Sequence, residues 1–363
     1  WYNDEIEDEL KQRHPYKQWL EQHRRHLIPF ERSHADKLGQ RLYDDETMLV
    51  LHKAYLYSEE ELQQIISVLA KDGQEAVGSM GDDTPTAVLS KQPRLLYDYF
   101  RQQFAQVTNP AIDPIRERHV MSLSTIIGRE HNVFNEASGD ADRVVFESPI
   151  LMYTDLKQLR ELDEKHYRAT TLSLAFKPEE NNLRQAIESL VENAKDAVKN
   201  NQTVILILSD RGLQRGQLMI PAAMAVGAVQ QALVANDLRC DSNIIIETAS
   251  ARDPHHMAVL LGLGATGVYP YLAYETVEQL VARGKVTLDI REALLNYRKG
   301  LNKGLLKILS KMGIATVAGY RGSSLFEAVG LNEDVRRLCF ANVPARIDGT
   351  GFDDIQQDLQ QSF

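Results

Sequence analysis

The sequence predicts an α/β fold: a degenerate (β/α) barrel-like domain preceded by a mainly helical N-terminal segment. Three observations carry that expectation. From Ile150 onward, apolar runs of strand length alternate with amphipathic helical stretches, the rhythm of a mainly parallel sheet with right-handed crossovers. Residues 243–271 hold a complete strand–helix–strand unit. In it Ile244 to Ile246 form an apolar run ending in Glu247, Pro254 opens a helix, and residues 262–267 return the chain to a second short strand. The ends of those two strands carry Thr248-Ala249-Ser250 and Tyr269-Pro270-Tyr271. Phosphate-binding barrels place glycine-rich backbone and a helix N-terminus there, with bare N–H groups for the anion. Here side chains crowd the first end and Pro270 removes a donor from the second. The expectation is a barrel frame without its phosphate grip.

The elements follow in order. Residues 1–30 read as a charged, aromatic-spotted helix. Its acidic cluster at 4–9 and basic residues Lys11 and Arg13 suit either a solvated face or a linker arriving from an upstream domain, and the chain is expected to be a piece of a longer one. Ser58-Glu59-Glu60-Glu61 is a capping box opening a helix that ends near Gly73. Residues 78–90 form a loop leading to a short apolar piece. Residues 95–106 predict an aromatic-faced helix (Leu96, Tyr99, Phe100, Phe104), broken at Thr108-Asn109-Pro110. Asp113-Pro114 predicts another helix running to Ile126, before a loop at 128–135 and a strand at 143–147.

Helices are further expected at 155–162, 182–199, 221–235, from Thr276, and at 291–312, with strands at 171–176 and 204–208. The 182–199 helix aligns Leu183, Ala186, Ile187, Leu190, Val191 and Ala194 on one stripe. Beyond these, 313–318 reads as a strand, 325–329 as the start of a helix, and 352–363 as a polar helix with no partner in the chain. The domains so divided are residues 1–57, 58–350 and 351–363.

Composition bounds the function. Hydrophobic residues make up 43% and charged residues 25% of the 363, ordinary for a globular protein, and the net charge of −10 opposes sequence-independent nucleic-acid binding. No run approaches the ~20 apolar residues a membrane span needs, and the acidic N-terminus is unlike a signal peptide. Cys240 and Cys339, far apart, suit a reducing compartment and make no zinc or iron–sulfur site. A cytoplasmic location is expected.

Candidate chemistry is sparse. Asp82-Asp83 beside Thr84 could hold a cation or act as acid and base, although adjacent side chains point apart and capping is the alternative. His255-His256 lacks metal-ligand spacing on a helix, and Asp253 reads as an N-cap with Pro254 in the first turn. Lys299, Lys303, Lys307 and Lys311 recur every four residues, a positive stripe that could steer an anion, hold an acidic domain face, or be merely solvated. Thr108-Asn109-Pro110 offers a hydroxyl and an amide at a helix end, able to line a channel for a small polar molecule or simply to turn the chain. No GxSxG, HExxH, P-loop or complete GxGxxG occurs, and Gly262-Leu263-Gly264 follows a helix, the wrong context for a dinucleotide.

Six segments together carry a family resemblance: SMGDDTPTAVLS, RLLYDYFRQQFAQVTNPAIDPIRE, ESPIL, LSDRG, IIIETASARDPHHMAVLLGLGATGVYPY and NYRKGLNKGLLKILSKMGIATVAGYRGSSLFEAVGL. Over about residues 79–346 the chain resembles the central domain of the glutamate synthase large (alpha) subunit, bacterial NADPH-dependent type. The resemblance implies a polypeptide with an N-terminal glutamine amidotransferase, this domain, a synthase barrel bearing FMN and a 3Fe–4S cluster, and a C-terminal β-helix, partnered by a small (beta) subunit. Ammonia released from glutamine would travel inside to aminate 2-oxoglutarate. The central domain would be a diverged copy of the flavin-binding TIM barrel, linking the two active sites. Trp1 is not the family's N-terminal cysteine nucleophile, and two cysteines cannot hold the cluster, so both catalytic ends are absent. What carries over is a non-catalytic, channelling role with no catalytic residue, cofactor or metal in this segment. Gly81, Asp82, Asp83, Thr84, Thr108 and Asn109 are the candidate tunnel or interdomain residues. The alternative is a free-standing flavin-barrel oxidoreductase with an atypical phosphate site.

Overall fold

A computed structural model describes residues 2–30, 42–76, 85–103, 110–162 and 164–363. The N-terminal stretch is two helices rather than one. Pro15 lacks an N–H and holds His14 in extended backbone, so α1 (Asn3–Arg13) stops and α2 (Tyr16–His23) restarts before β1 (Arg25–His26). Asp44 caps α3 (Asp45–Ala54), accepting from Thr47 N at 2.7 Å. The Ser58/Glu61 capping box forms as expected and opens α4 (Glu59–Glu61), which passes through a π-turn into α5 (Ser67–Asp72) and ends at left-handed Gly73.

Two expected helices are strands. Leu96–Tyr99 is a 3-10 turn feeding β2 (Phe100–Gln102). Of the residues read there as a helical face, Leu96 and Tyr99 are buried on the turn and Phe100 on the strand, where it meets Phe326 and Phe340 edge-on at 5.2 and 5.1 Å, while Phe104 lies outside the described residues. After Pro114 only a turn, in which the Asp113 carboxylate accepts from the N–H groups of Ile115 and Arg116 at 2.9 and 3.0 Å, and a 3-10 helix at Arg118–Val120 form. The chain then extends into β3 (Thr125–Ile127), antiparallel to β4 (Val144–Phe146), which β1 joins in parallel.

The alternating region follows the predicted rhythm. It comprises α6 (Tyr153–Arg160), α7 (Glu164–Tyr167), β5 (Ala169–Ser173), β6 (Ala175–Phe176), α8 (Leu183–Lys199), β7 (Ile205–Ser209), β8 (Leu218–Met219), α9 (Ala222–Ala235), β9 (Asn243–Glu247), α10 (Pro254–Gly262), β10 (Gly267–Tyr269), α11 (Tyr271–Ala282) and α12 (Ile290–Lys311). Asn182 caps α8, whose stripe from Leu183 to Ala194 packs inward. Every residue of β7, β9 and β10 is buried, as in strands covered on both faces. These strands form a parallel sheet in the order β10-β9-β7-β5, and Ile150 bridges in parallel to Val268 on the β10 edge. Among the described residues no pairing joins β5 back to Ile150, so the expected barrel is present as an open parallel sheet. A short antiparallel pair, β6 with β8, flanks it.

The C-terminal part departs from expectation most. The strand expected at 313–318 shrinks to one bridge, Thr316 with Ser122, before α13 (Val317–Tyr320). The helix expected at 325–329 is β11 (Phe326–Leu331), whose inward residues Phe326 and Ala328 alternate with half-buried Glu327 and Val329, a period of two. It pairs antiparallel with β2 and, past α14 (Glu333–Cys339), parallel with β12 (Ala345–Thr350). The supposedly unpartnered tail is α15 (Phe352–Ser362), and it has partners. Its stripe Phe352, Ile355, Leu359 and Phe363 faces the domain, Gln356 Oε1 accepts from Leu183 N at 2.7 Å, and Phe363 lies edge-on to Tyr55 at 5.3 Å. Among the described residues no helix is long and apolar enough to cross a membrane.

Close helix contacts hold the sheet end in place. Gly300 and Gly304 let α12 lie directly on α5 and α10: a Cβ on Gly304 would sit 2.4 Å from the Pro254 ring, and one on Gly300 2.5 Å from Leu69. Gly304→Ala is expected to destabilise the fold by roughly 1–3 kcal/mol, despite the better helix propensity of alanine. Urea unfolding checks this, and a gain in stability would contradict the contact.

Candidate functional site at the carboxyl end of the sheet

In open parallel α/β sheets ligands bind beyond the carboxyl ends of the strands. Three turns meet there: Ser209-Asp210-Arg211 after β7, Thr248-Ala249-Ser250 after β9, and Tyr269-Pro270-Tyr271 after β10. Asp210 is 2% exposed. Its carboxylate accepts from Thr248 Oγ1 at 2.6 Å and from Ala249 N at 2.9 and 3.2 Å. Ser250 N donates to Thr248 Oγ1 at 3.1 Å, and Thr248 N to the Tyr269 carbonyl at 3.0 Å. The backbone donors that would face an anion after β9 are therefore engaged inside the protein, with Asp210 standing where the anion would be.

Burial pushes the Asp210 carboxyl up to about 7, against hydrogen bonds from Thr248, Ala249 and Tyr271 that pull it down. A shell of phenols closes over it. Tyr57 OH donates to the Ala249 carbonyl at 2.8 Å, Tyr97 OH meets Ser250 Oγ at 2.9 Å, and both rings are buried. Beside Asp210 lies a cavity of about 80 Å³, lined by Tyr55, Tyr97 and Ser250 and, on one side, by Ile355 and Leu359 of α15 and Phe363 just after it. That space suits a few waters and is far too small for a flavin.

The second cation–anion cluster is equally self-contained. Arg252, 2% exposed, donates through Nε and Nη2 to Glu61 at 3.0 Å each, and to the carbonyls of Tyr55 (3.0 Å) and Leu56 (2.7 Å), with its plane 4.2 Å over the Tyr57 ring. Glu247, 1% exposed, accepts from Arg160 Nη2 and Ser209 Oγ at 2.7 Å, with Arg211 Nε 3.7 Å away. Among the described residues, Arg252 and Arg160 each hold a carboxylate of the same chain, whereas Arg211 Nε and Nη2 are enclosed without a hydrogen-bond partner.

The histidine pair behaves as spacing suggests. Asp253 caps α10 through His256 N at 2.8 Å, His255 Nε2 lies 3.0 Å from the Tyr97 carbonyl, and His256 stacks on Tyr97 at 4.3 Å. Burial pushes His256 down to about 4, leaving it neutral. Among the described residues no three His, Cys, Asp or Glu side chains gather as a metal set. Lys299, Lys303 and Lys307 line an open cleft, where Lys307 pairs with Glu75 at 2.8 Å. Gly81, Asp82, Asp83, Thr84, Thr108 and Asn109 lie outside the described residues.

Sequence reasoning ended a strand at Ser209-Asp210 and gave Asp210 no role. Arg252, Tyr57 and Tyr97 likewise have no role in the sequence reading, and Glu61 has only that of a capping residue. One signal was available: LSDR and ETASARD place charge immediately after wholly apolar strands, where a side chain leaving the sheet must find an internal partner.

Comparison with known proteins gives a consistent result. The profile described as "Glutamate synthase central domain" matches residues 51–332. The chain is 38% identical, over 98% of its length, to the ferredoxin-dependent glutamate synthase 1 of Arabidopsis thaliana. It is 35% identical over 97% to the NADH glutamate synthase of Saccharomyces cerevisiae, and 37% over 98% to ferredoxin-dependent glutamate synthase 2 of Synechocystis sp.. It covers only 22%, 17% and 23% of those proteins, about a fifth of their length. Among solved structures, a mandelate oxidase with 2-hydroxy-phenylacetamide gives a TM-score of 0.34 at 10% identity, covering 76% of this chain and 96% of that one, a likeness at which neither fold nor ligand transfers.

Asp210 gives the sheet end a pH signature. Its folded pKa of about 7 lies above the ordinary 3.8, so between roughly pH 4 and 7 the folded state holds a proton the unfolded state has lost, and stability falls as pH rises through that window. His52 and His256, both pushed down to about 4 chiefly by burial, act oppositely between about pH 4 and 6.5. Asp210→Asn is expected to raise stability at pH 8 by about 1–3 kcal/mol and to change it little near pH 4. Denaturation series at the two pH values check this. An equal offset at both would show that the Asp210 charge is not the cause.

Proposed function

Because this chain belongs to the glutamate synthase central-domain family, matched over residues 51–332, we propose that it is a non-catalytic connector. In this reading it joins a glutamine amidotransferase domain to an FMN-bearing synthase domain of one polypeptide and helps wall the path of ammonia between them. The parent activity would be L-glutamate synthesis from glutamine and 2-oxoglutarate, in the cytoplasm, with a small (beta) subunit as partner. FMN, the 3Fe–4S cluster and NADPH would belong to other parts of the assembly.

The observation that carries the non-catalytic reading is Asp210. A flavin phosphate needs free N–H donors at the strand ends, and those after β9 are engaged by Asp210 and by Thr248 Oγ1. Arg252, the buried cation at the same end, is neutralised by Glu61. The residues present do not fit FMN. A free-standing flavin-barrel oxidoreductase is disfavoured on the same grounds, and the chain spans about a fifth of its relatives.

For the channel, Gly81, Asp82, Asp83, Thr84, Thr108 and Asn109 remain the proposed tunnel or interdomain residues. Such a wall acts by geometry: it keeps ammonia from water and so limits protonation and loss.

Two measurements test this reading. The purified 363-residue chain, mixed with FMN and gel-filtered, is expected to retain no flavin absorbance, and stoichiometric retention would overturn the non-catalytic assignment. In the complete enzyme, Asn109→Leu should lower glutamine-dependent glutamate formation while leaving glutamine hydrolysis intact. Unchanged coupling would remove Asn109 from the channel.

A further inference from the structure

Away from the sheet end, α12 borders two adjoining clefts of about 710 and 1040 Å³ that share Arg118, Arg298, Asn302 and Leu306 and one carboxylate, the exposed Glu147. At their junction Arg298 is 7% exposed, and its Nε is enclosed without a hydrogen-bond partner among the described residues. Asp155 Oδ2 stands 4.0 Å from Nη1, beyond hydrogen-bond reach, and is already bonded to Met152 N at 2.9 Å. A guanidinium offers five donors in a rigid fork, and enclosing one so poorly matched is costly unless something completes it. Asn302 accepts from Ser148 Oγ at 2.6 Å through Oδ1, which leaves its amide N–H groups to donate.

The surroundings are positive although the chain carries −10. The smaller cleft is lined by Arg24, Arg118 and Arg298 against Glu147 and Asp155, with His26 in addition. The larger adds Lys299, Lys303 and Lys307, against Glu75, Glu147 and Glu292. Loss of water along this wall, then the like charges of Lys299 and Arg118, hold the Lys303 ammonium below its usual range. The lysine stripe of the sequence thus borders a concave surface whose cations outnumber its carboxylates, five to three in the larger cleft.

We propose that this junction is a binding site for a small doubly charged oxyanion, a dicarboxylate or a phosphate, gripped by the Arg298 fork with Asn302 beside it and attracted by Arg118 and Lys303. Planar carboxylate and phosphate edges match the guanidinium bidentately, which a lysine cannot do. The site is independent of the connector role, and either can fail without the other.

Calorimetric titration of the 363-residue chain with sodium phosphate and with succinate, at ionic strength held constant by sodium chloride, tests it. Saturable one-site binding of at least one anion in the millimolar range or tighter is expected. Binding of phosphate alone or succinate alone identifies the source, and binding of both leaves the shared charge as the determinant. Arg298→Met should weaken affinity at least roughly tenfold, and Arg298→Lys should also weaken it, because charge without the fork is insufficient. Lys285→Met, whose lysine pairs with Glu59 elsewhere, should leave affinity unchanged. If Arg298→Met does not fold, Asn302→Ala and Lys303→Met should each weaken binding severalfold. Failure of both anions to bind saturably overturns the proposal. So does wild-type affinity in Arg298→Met or, where that variant does not fold, in both of the other two.

Discussion

A single buried carboxylate organises the carboxyl end of the parallel sheet. Asp210 reaches from the end of β7 to the turn after β9, taking the Ala249 N–H and the Thr248 hydroxyl as a bound anion would. Because the anion is covalently part of the chain, the turn is satisfied without a ligand and the strands can be packed from above by protein. The cost is a carboxyl whose proton affinity is raised to about 7 by enclosure, which the surrounding hydroxyls reduce but do not remove.

Around that centre the N-terminal helices act as a lid made of phenols and one arginine. Arg252 gathers Glu61, at the start of the α4–α5 helical run, with the carbonyls of Tyr55 and Leu56 that precede it, while Tyr57 and Tyr97 bond the turn after β9. His52 of α3 stacks on Tyr57 at 5.0 Å and bonds Thr276 of α11 at 2.8 Å. Removing any one of these partners would leave a buried charge or hydroxyl unmatched, so the lid and the sheet end stabilise each other.

Much of this was legible wherever the pattern is local. The capping box at Ser58, the α8 stripe, and the β9–α10–β10 unit with Pro254 at its helix start follow from periodicity and end chemistry within a few residues. Failures occurred where the deciding partner is distant in sequence. Leu96 to Phe100 and Leu325 to Val329 carry apolar residues that suit a helix face or a strand, and the choice is made by their pairing across more than two hundred residues. The same holds for Asp210: its position after an apolar run was visible, but the donors that give it a role lie on the next strand but one in the chain. The tail at 352–363 reads as polar in isolation, yet its four spaced apolar residues are enough to seat it.

The seating of α15 has a consequence for the interior. One helix both completes the first turn of α8, through Gln356, and stoppers the small void beside Asp210 with Phe363 and Leu359. Tilting it outward would open that void to bulk water, relieve the burial that raises the Asp210 carboxyl and move its deprotonation to lower pH. The acidity of one interior residue is therefore a gauge of how firmly the last helix is latched.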